Sequence, residues 1–158
     1  RLDFYSRENI EKIIERSAKI LNIKMERGTE KILAQASRYT PRIANKLLKR
    51  TRDLAQVREE KLISPKVINE TLSMLDIDEL GLEATDRKIL RLIIENFNGG
   101  PVGIKTIAAS LAEEEETIED VFEPYLMQIG FLARTSKGRI ATKLAFDHLG
   151  IKNQTQII

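Results

Sequence analysis

The chain of 158 residues contains no cysteine and a single histidine, His148. Without cysteine no disulfide framework can form, which is compatible with a reducing cell interior. One histidine leaves no cluster for zinc and no Ser-His-Asp triad to assemble, so we predict no metal site. We interpret His148 as a helix-end or packing residue.

Long apolar segments are also missing. No run approaches the roughly 20 residues that cross a bilayer, and no signal-peptide pattern opens the chain. The glycine-rich segment GGPVG (99–103) is not followed by Gly-Lys-Ser or Gly-Lys-Thr, so it is not a P-loop. We therefore expect no membrane contact and no complete catalytic apparatus. Because the chain opens on Arg1 rather than on methionine, we interpret it as an excised piece of a longer protein.

The composition is that of a folded protein with an uneven charge distribution. Hydrophobic residues make up 42% and charged residues 32%, which permits one ordinary domain or two small ones. Residues 1–77 hold 17 Lys+Arg against 11 Asp+Glu, and residues 78–158 hold 9 against 13. These opposite balances predict two units with different partners. Neither half is basic enough to indicate nucleic-acid binding by bulk charge.

Residues 1–77 are predicted to form a small all-helical bundle of four helices. Ser6 can cap the first helix, and the second spans about 29–37. Thr40-Pro41 and Ser64-Pro65 open the third and fourth with a capping residue and a proline at the first helical position. The apolar stripes of the four helices contain, among others, Ile10, Ile14, Ile20, Leu33, Ile43, Leu47, Leu48, Val67, Ile68 and Leu72.

Arg42 falls in the first turn of the third predicted helix, beside free N–H groups and the positive end of the helix dipole. A cation alone is unfavourable there. An anion held jointly by arginine and backbone is favourable, which favours a phosphate contact. The alternative is that Arg42 belongs, with Lys46, Lys49, Arg50 and Arg52, to a solvated cationic face.

Residues 78–150 are predicted to form a winged helix-turn-helix. After an acidic connector (78–83), helical patterns cover 84–97, 105–112 and 117–130, and Pro124 is expected to kink the third. The remainder predicts a hairpin, with a first strand from Phe131 and Leu132, a turn at Ser136-Lys137-Gly138, and a second strand through Ile140, Thr142 and Leu144. Three helices followed by a hairpin are typical of this fold.

A cluster of cations lies in the hairpin, whereas the third helix has none. That helix overlaps AEEEETIEDVFEP (112–124), which carries seven acids and no base, so it would repel phosphates and is a poor major-groove reader. The hairpin carries Arg134, Lys137 and Arg139, and Lys143 follows. A basic hairpin can track a DNA backbone without reading bases. The alternative is an exposed basic turn that only aids solubility.

These blocks resemble the C-terminal part of the RuvB family, the bacterial ATP-driven motors of Holliday-junction branch migration. The resemblance covers about residues 1–150. It rests on RLDFY at the start, TPRIANKLLKRTRD (40–53), GLEATDRKIL (81–90), and the continuous stretch from GGPVG through EPYL to FLARTSKGR (99–139). It implies a mainly α architecture, with an AAA+ helical lid at 1–77, a winged-helix DNA-binding domain at 78–150 and a tail at 151–158.

The resemblance also implies a function for the full-length protein. It would be an ATP-dependent DNA helicase that acts in recombination, DNA repair and the SOS response. It would be located in the bacterial cytoplasm. The ATPase subdomain that carries the Walker motifs and binds Mg²⁺ would lie outside this chain, so the chain alone is expected to be inactive. The implied partners are duplex DNA or Holliday junctions, contacted without sequence preference, RuvA, RuvC, and further copies in a homohexameric ring.

Individual residues follow from the same resemblance. Arg42 matches the family's sensor 2 arginine, which would contact the γ-phosphate of ATP, and Tyr5 and Pro41 would line the adenine side. Tyr39 stands where the family usually has glycine, which predicts a stiffer loop. The family's wing RTPRGR is RTSKGR here, so Ser136 replaces proline, and Lys137 keeps the charge of an arginine without its planar fork. We therefore predict Arg134 and Arg139 as the leading DNA contacts of the wing and Lys137 as a weaker one.

A different class of function remains as the alternative. The second half could be a non-motor winged-helix module, such as a transcription regulator or a protein-docking domain that uses the acidic helix.

Overall fold

The computed structural model describes residues 5–153, which divide into two compact units between Glu83 and Ala84. Residues 78–83, which were predicted to form an acidic connector, lie with the first unit. The Asp78 carboxylate accepts hydrogen bonds from the N–H groups of Leu80 (3.0 Å) and Leu82 (2.9 Å). Gly81 has a φ of +80°, and a Cβ there would lie 2.5 Å from the Ala36 carbonyl oxygen. The predicted connector is therefore an ordered part of the first unit.

The four predicted helices of the first unit are confirmed. They are α1 (Arg7–Ile20), α2 (Thr29–Ala36), α3 (Pro41–Val57) and α4 (Pro65–Met74). The hydroxyl of Ser6 accepts a hydrogen bond from the Asn9 N–H and that of Ser64 accepts one from the Val67 N–H, so both serines act as N-caps. The start signals read from the sequence thus operate in the structure.

The core of the first unit is built from the predicted stripes with one exception. Its fully buried large side chains are Ile10, Ile14, Leu33, Leu47, Leu48 and Ile68. Ile20 was expected on the stripe of α1 but is 72% exposed. Ala18 occupies the stripe instead, and residues two positions apart on a helix point about 200° away from each other. Ile20 therefore faces solvent.

The second unit has the predicted order of three helical segments and an antiparallel hairpin. Helix α5 (Ala84–Arg91) continues as a π-helical turn (Leu92–Asn96), and α6 is Ile104–Leu111. The third segment comprises α7 (Glu115–Thr117), a π-helical turn (Ile118–Phe122) and α8 (Glu123–Gln128). Pro124 lies in the first turn of α8, where a missing N–H is tolerated, directly after the irregular turn. Strands β1 (Leu132–Thr135) and β2 (Gly138–Ala141) complete the wing.

The predicted second strand is too long. It ends at Ala141, and helix α9 (Lys143–Leu149) follows, so Thr142 is the N-cap of α9 and Leu144 is helical. The Thr142 hydroxyl donates to the Gly130 carbonyl (2.5 Å) and its N–H to the Phe131 carbonyl (3.0 Å), which fixes the chain where the strand ends. The alternation of Ile140, Thr142 and Leu144 resembles a strand but arises at a strand-to-helix junction. Likewise β1 begins at Leu132 rather than Phe131.

His148 is a packing residue, as predicted. It lies in the last turn of α9, and its ring centroid is 5.1 Å from that of Phe131. In residues 5–153 no helix is long and apolar enough to cross a membrane.

The segment GGPVG (99–103) pairs with the wing. Val102 and Arg139 exchange two backbone hydrogen bonds (2.9 and 2.7 Å), and the Ala141 N–H donates to the Gly99 carbonyl (2.9 Å). Glycine is required on both sides of this contact. A Cβ at Gly100 would lie 2.4 Å from the Arg139 carbonyl oxygen, and one at Gly138 would lie 2.5 Å from the Val102 carbonyl oxygen. These glycines therefore allow close strand pairing.

Replacing Gly138 by alanine should destabilise the second unit by about 2 to 4 kcal/mol, because the new Cβ meets backbone and φ is +135°. The measurement is urea unfolding followed by the NMR methyl signals of Ile107 and Leu126, both buried there. Gly103→Ala is the control, since its φ is −69° and no heavy atom of the described residues lies within 4 Å of a Cβ there. The control should cost less than about 1 kcal/mol. Equal losses would contradict the requirement for glycine at 138.

Candidate nucleotide and nucleic-acid sites

The tip of the wing is a tight turn with one exposed cation. The Thr135 hydroxyl donates to the Gly138 carbonyl (2.7 Å) and accepts from the Lys137 N–H (3.2 Å), which closes the turn. Ser136 and Lys137 are exposed at the tip. Within residues 5–153, no carboxylate forms an ion pair with Lys137. Its charge is therefore available to an external anion.

Arg139 is not exposed on the wing, contrary to the expectation that it is a leading DNA contact. The residue is only 8% exposed. Its Nε donates to Glu123 Oε1 (2.6 Å), and its Nη2 donates to Glu119 Oε1 (2.9 Å) and Glu123 Oε2 (3.4 Å). The bond to Glu123 raises the pKa of Arg139, while burial opposes that rise. Its charge is therefore neutralised within the second unit. The bonds to Glu119 and Glu123 attach the wing to the third helical segment.

Arg134 shares the same carboxylate but remains half exposed. Its Nη2 donates to Glu123 Oε2 at 2.5 Å, and its side chain is 50% exposed whereas that of Glu123 is 2% exposed. In the hairpin register Arg134 lies directly opposite Arg139. Like charges in that arrangement repel, and Glu123 offsets the repulsion by bonding to both.

The acidic segment thus has a structural function that the sequence reading missed. Glu119 and Glu123 lie four residues apart, a spacing that places two side chains on one helical face, and that face meets the hairpin. The spacing was visible in the sequence, but Arg139 lies 16 residues after Glu123 and 20 after Glu119, and Arg134 lies 11 residues after Glu123. Glu113, Glu114, Glu115, Glu116 and Asp120 are exposed, as expected for a solvated acidic face.

The predicted nucleotide residues lie together at the start of α3. The Tyr5 N–H donates to the Tyr39 carbonyl (3.3 Å), which brings Tyr5 beside the turn that precedes Pro41. Arg42 is exposed in the first helical turn, which holds no acidic residue. The Thr40 hydroxyl donates to the Arg38 carbonyl (3.1 Å) instead of capping the helix. The helix start therefore presents backbone N–H groups beside a guanidinium, an arrangement suited to an anion.

Tyr39 takes up a conformation that favours glycine. Its φ is +53° and that of Arg38 is +55°. A left-handed residue with a Cβ costs roughly 1 to 2 kcal/mol, which glycine avoids. This explains physically why glycine suits the position that Tyr39 occupies.

The two units match separate family models. Residues 5–78 match the RuvB AAA lid domain, and residues 79–150 match the RuvB C-terminal winged helix domain. Two proteins named Holliday junction branch migration complex subunit RuvB are similar over nearly the whole chain. That of Solibacter usitatus is 51% identical across 98% of this chain and 45% of its own length; that of Thermosipho melanesiensis is 53% identical across 97% and 49%.

Solved structures agree with these matches. The structure titled as the RuvB Holliday junction branch migration motor of Thermotoga maritima is 45% identical, with a TM-score of 0.90 over 96% of this chain and 51% of that chain. An R170A form of the same protein matches with equal values. The chain thus spans about half the length of the relatives it matches.

Fold and site together define an AAA+ lid bundle followed by a winged-helix domain. With both units matched in order, the chain belongs to the RuvB family and comprises its lid and C-terminal winged-helix domains.

Replacing Glu123 by alanine should destabilise the second unit by about 3 to 5 kcal/mol, because it leaves the buried Arg139 short of its main counter-ion. Urea unfolding read on the same methyl signals measures this loss. Glu116→Ala removes an exposed acid from the same segment and should change stability by no more than about 0.5 kcal/mol. A Glu123 variant as stable as the Glu116 variant would show that the buried pair does not hold the wing.

Proposed function

We propose that this chain is the lid and DNA-binding portion of an ATP-dependent motor that drives branch migration of Holliday junctions in recombination and repair. The observation that carries the proposal is the match of both units, in order, to proteins that bear this name at 51% and 53% identity. In the full-length protein, ATP and Mg²⁺ would bind mainly through the ATPase subdomain. The motor would work as a hexameric ring with RuvA and RuvC in the bacterial cytoplasm, including during the SOS response.

The wing is the part of the second unit that we propose contacts DNA. Lys137 offers an uncompensated charge at the tip, and Arg134 lies half exposed on β1, three residues before it. The exposed acids of the third helical segment would repel phosphates, so base reading by that segment is disfavoured. A lysine at a turn supplies charge without planar, bidentate recognition. Such a contact suits a motor that must step along any sequence.

The start of α3 is the part of the lid that we propose senses the nucleotide. Arg42 and the neighbouring backbone N–H groups would hold the γ-phosphate, and Tyr5 and Pro41 would border the adenine. The hydrogen bond between Tyr5 and Tyr39 supports this grouping, since it joins residues from two parts of the chain beside Arg42.

Replacing Lys137 by alanine should weaken binding to duplex DNA of any sequence and make the negative slope of log affinity against log salt shallower by about 0.9, since one phosphate contact is lost. Fluorescence anisotropy at several salt concentrations measures both effects. Lys88→Ala is the matched control because Lys88 is an exposed lysine of α5. If the two variants behaved alike, the wing would not be the DNA contact.

Replacing Arg42 by alanine in the full-length protein should reduce ATP turnover or its stimulation by DNA at least tenfold, in line with the loss of a charged group from a phosphate in the transition state. Steady-state ATP hydrolysis measures it. Lys46→Ala is the control, since Lys46 is exposed about one turn later on α3. Normal turnover in the Arg42 variant would refute the sensor role.

A further inference from the structure

Glu123 binds two arginines that differ in what they can do next. Arg139 is buried and places two nitrogens on the carboxylate, Nε on Oε1 at 2.6 Å and Nη2 on Oε2 at 3.4 Å. Arg134 reaches only Oε2, at 2.5 Å, from a side chain that is 50% exposed. The departure of Arg134 would leave both oxygens of Glu123 with a hydrogen-bond partner. Departure of Arg139 would leave Glu123 with Arg134 alone.

A DNA phosphate would compete with Glu123 for Arg134. Bidentate recognition of a phosphate uses two N–H groups of the guanidinium fork, and Nη2 already points at Glu123. A phosphate drawn to the remaining N–H groups would lie close to the carboxylate and be repelled by it. Engagement of the fork by a phosphate is therefore favoured when Arg134 leaves Glu123, because the repulsion is then relieved.

We propose that the bond to Glu123 restrains Arg134, so that the phosphate backbone must displace this carboxylate before Arg134 contributes to DNA binding. The inference rests on the proposed function of the wing and adds a restraint to it. Lys137 makes the first contact at the tip and is not restrained. Arg134 adds a second contact, whose net contribution to affinity is reduced because its bond to Glu123 is lost. Arg139 stays in place throughout and keeps the hairpin attached to the third helical segment. A grip limited in this way releases DNA more readily, which a stepping motor needs.

The test is a comparison of Arg134→Ala in two backgrounds. In the unaltered chain, Arg134→Ala should weaken duplex binding only about twofold, because the lost contact and the spared bond to Glu123 nearly cancel. In the Glu123→Gln background the same change should weaken binding about tenfold, because a neutral amide competes poorly with phosphate. Equal factors in the two backgrounds would overturn the proposal.

A charge-matched control separates release of Arg134 from the general gain of positive charge. Glu123→Gln and Glu116→Gln each remove one negative charge from the same segment, and only Glu123 touches Arg134. Binding should rise about fivefold in Glu123→Gln and less than about twofold in Glu116→Gln, since the latter acts only through screened, long-range charge. Equal rises would mean that net charge alone explains the effect, and the restraint would be rejected.

A second measurement needs no change to Glu123 and so does not depend on the stability of that variant. Side-chain ¹⁵Nε signals of arginine are followed in the unaltered chain as a 20-base-pair duplex is added. The Arg134 signal should move while that of Arg139 stays fixed. An Arg134 signal unmoved at saturation would show that it keeps its bond to Glu123.

The DNA contact of the wing and its restraint by Glu123 are tested by different variants. If Lys137→Ala leaves duplex affinity unchanged at low salt, the proposed DNA contact of the wing itself is wrong. If Lys137→Ala weakens binding but the effect of Arg134→Ala is the same in both backgrounds, only the restraint by Glu123 is wrong.

Discussion

The buried carboxylate of Glu123 is the interaction on which the second unit depends. A carboxylate that is 2% exposed carries a desolvation penalty of several kcal/mol, which only well-placed opposite charges offset. Arg139 supplies two of the bonds and Arg134 a third. Because Glu123 opens α8 and the arginines lie on β2 and β1, this pairing fixes the wing against the third helical segment. On the backbone side of β2, Val102 and Gly99 hold the same strand.

This pairing changes how the charge of RTSKGR should be counted. The segment has three cations, but two of them are bonded to carboxylates of the preceding acidic segment. Only Lys137 at the tip is uncompensated within the described part of the chain. The acidic segment and the basic hairpin therefore partly neutralise each other within the second unit. A net charge summed along the sequence overstates what the wing can offer to a phosphate backbone.

The sequence predicted those features that local signals determine. Ser6, Pro41 and Ser64-Pro65 mark helix starts through their own backbone chemistry, and all three helices begin where predicted. The end of β2 was misplaced because it depends on Thr142 bonding to Gly130, twelve residues away. The burial of Arg139 was missed for the same reason, since its partners lie in another element. The grouping of Tyr5 with Arg42 came only from the resemblance, as no local pattern joins them.

The lid and the wing offer anions two different kinds of site. At the start of α3, Arg42 and the first-turn N–H groups are presented together, and Tyr39 adopts a costly left-handed conformation in the preceding turn. Strain of that kind persists only where the surrounding structure compensates for it, here through α2, α3 and the bond from Tyr5. On the wing, Arg134 next to the tip is already bonded to an internal partner, Glu123. The nucleotide sensor that we propose needs a fixed geometry that distinguishes phosphate states, whereas the proposed contact of the wing with the DNA backbone, made and broken at every step, benefits from a competing carboxylate.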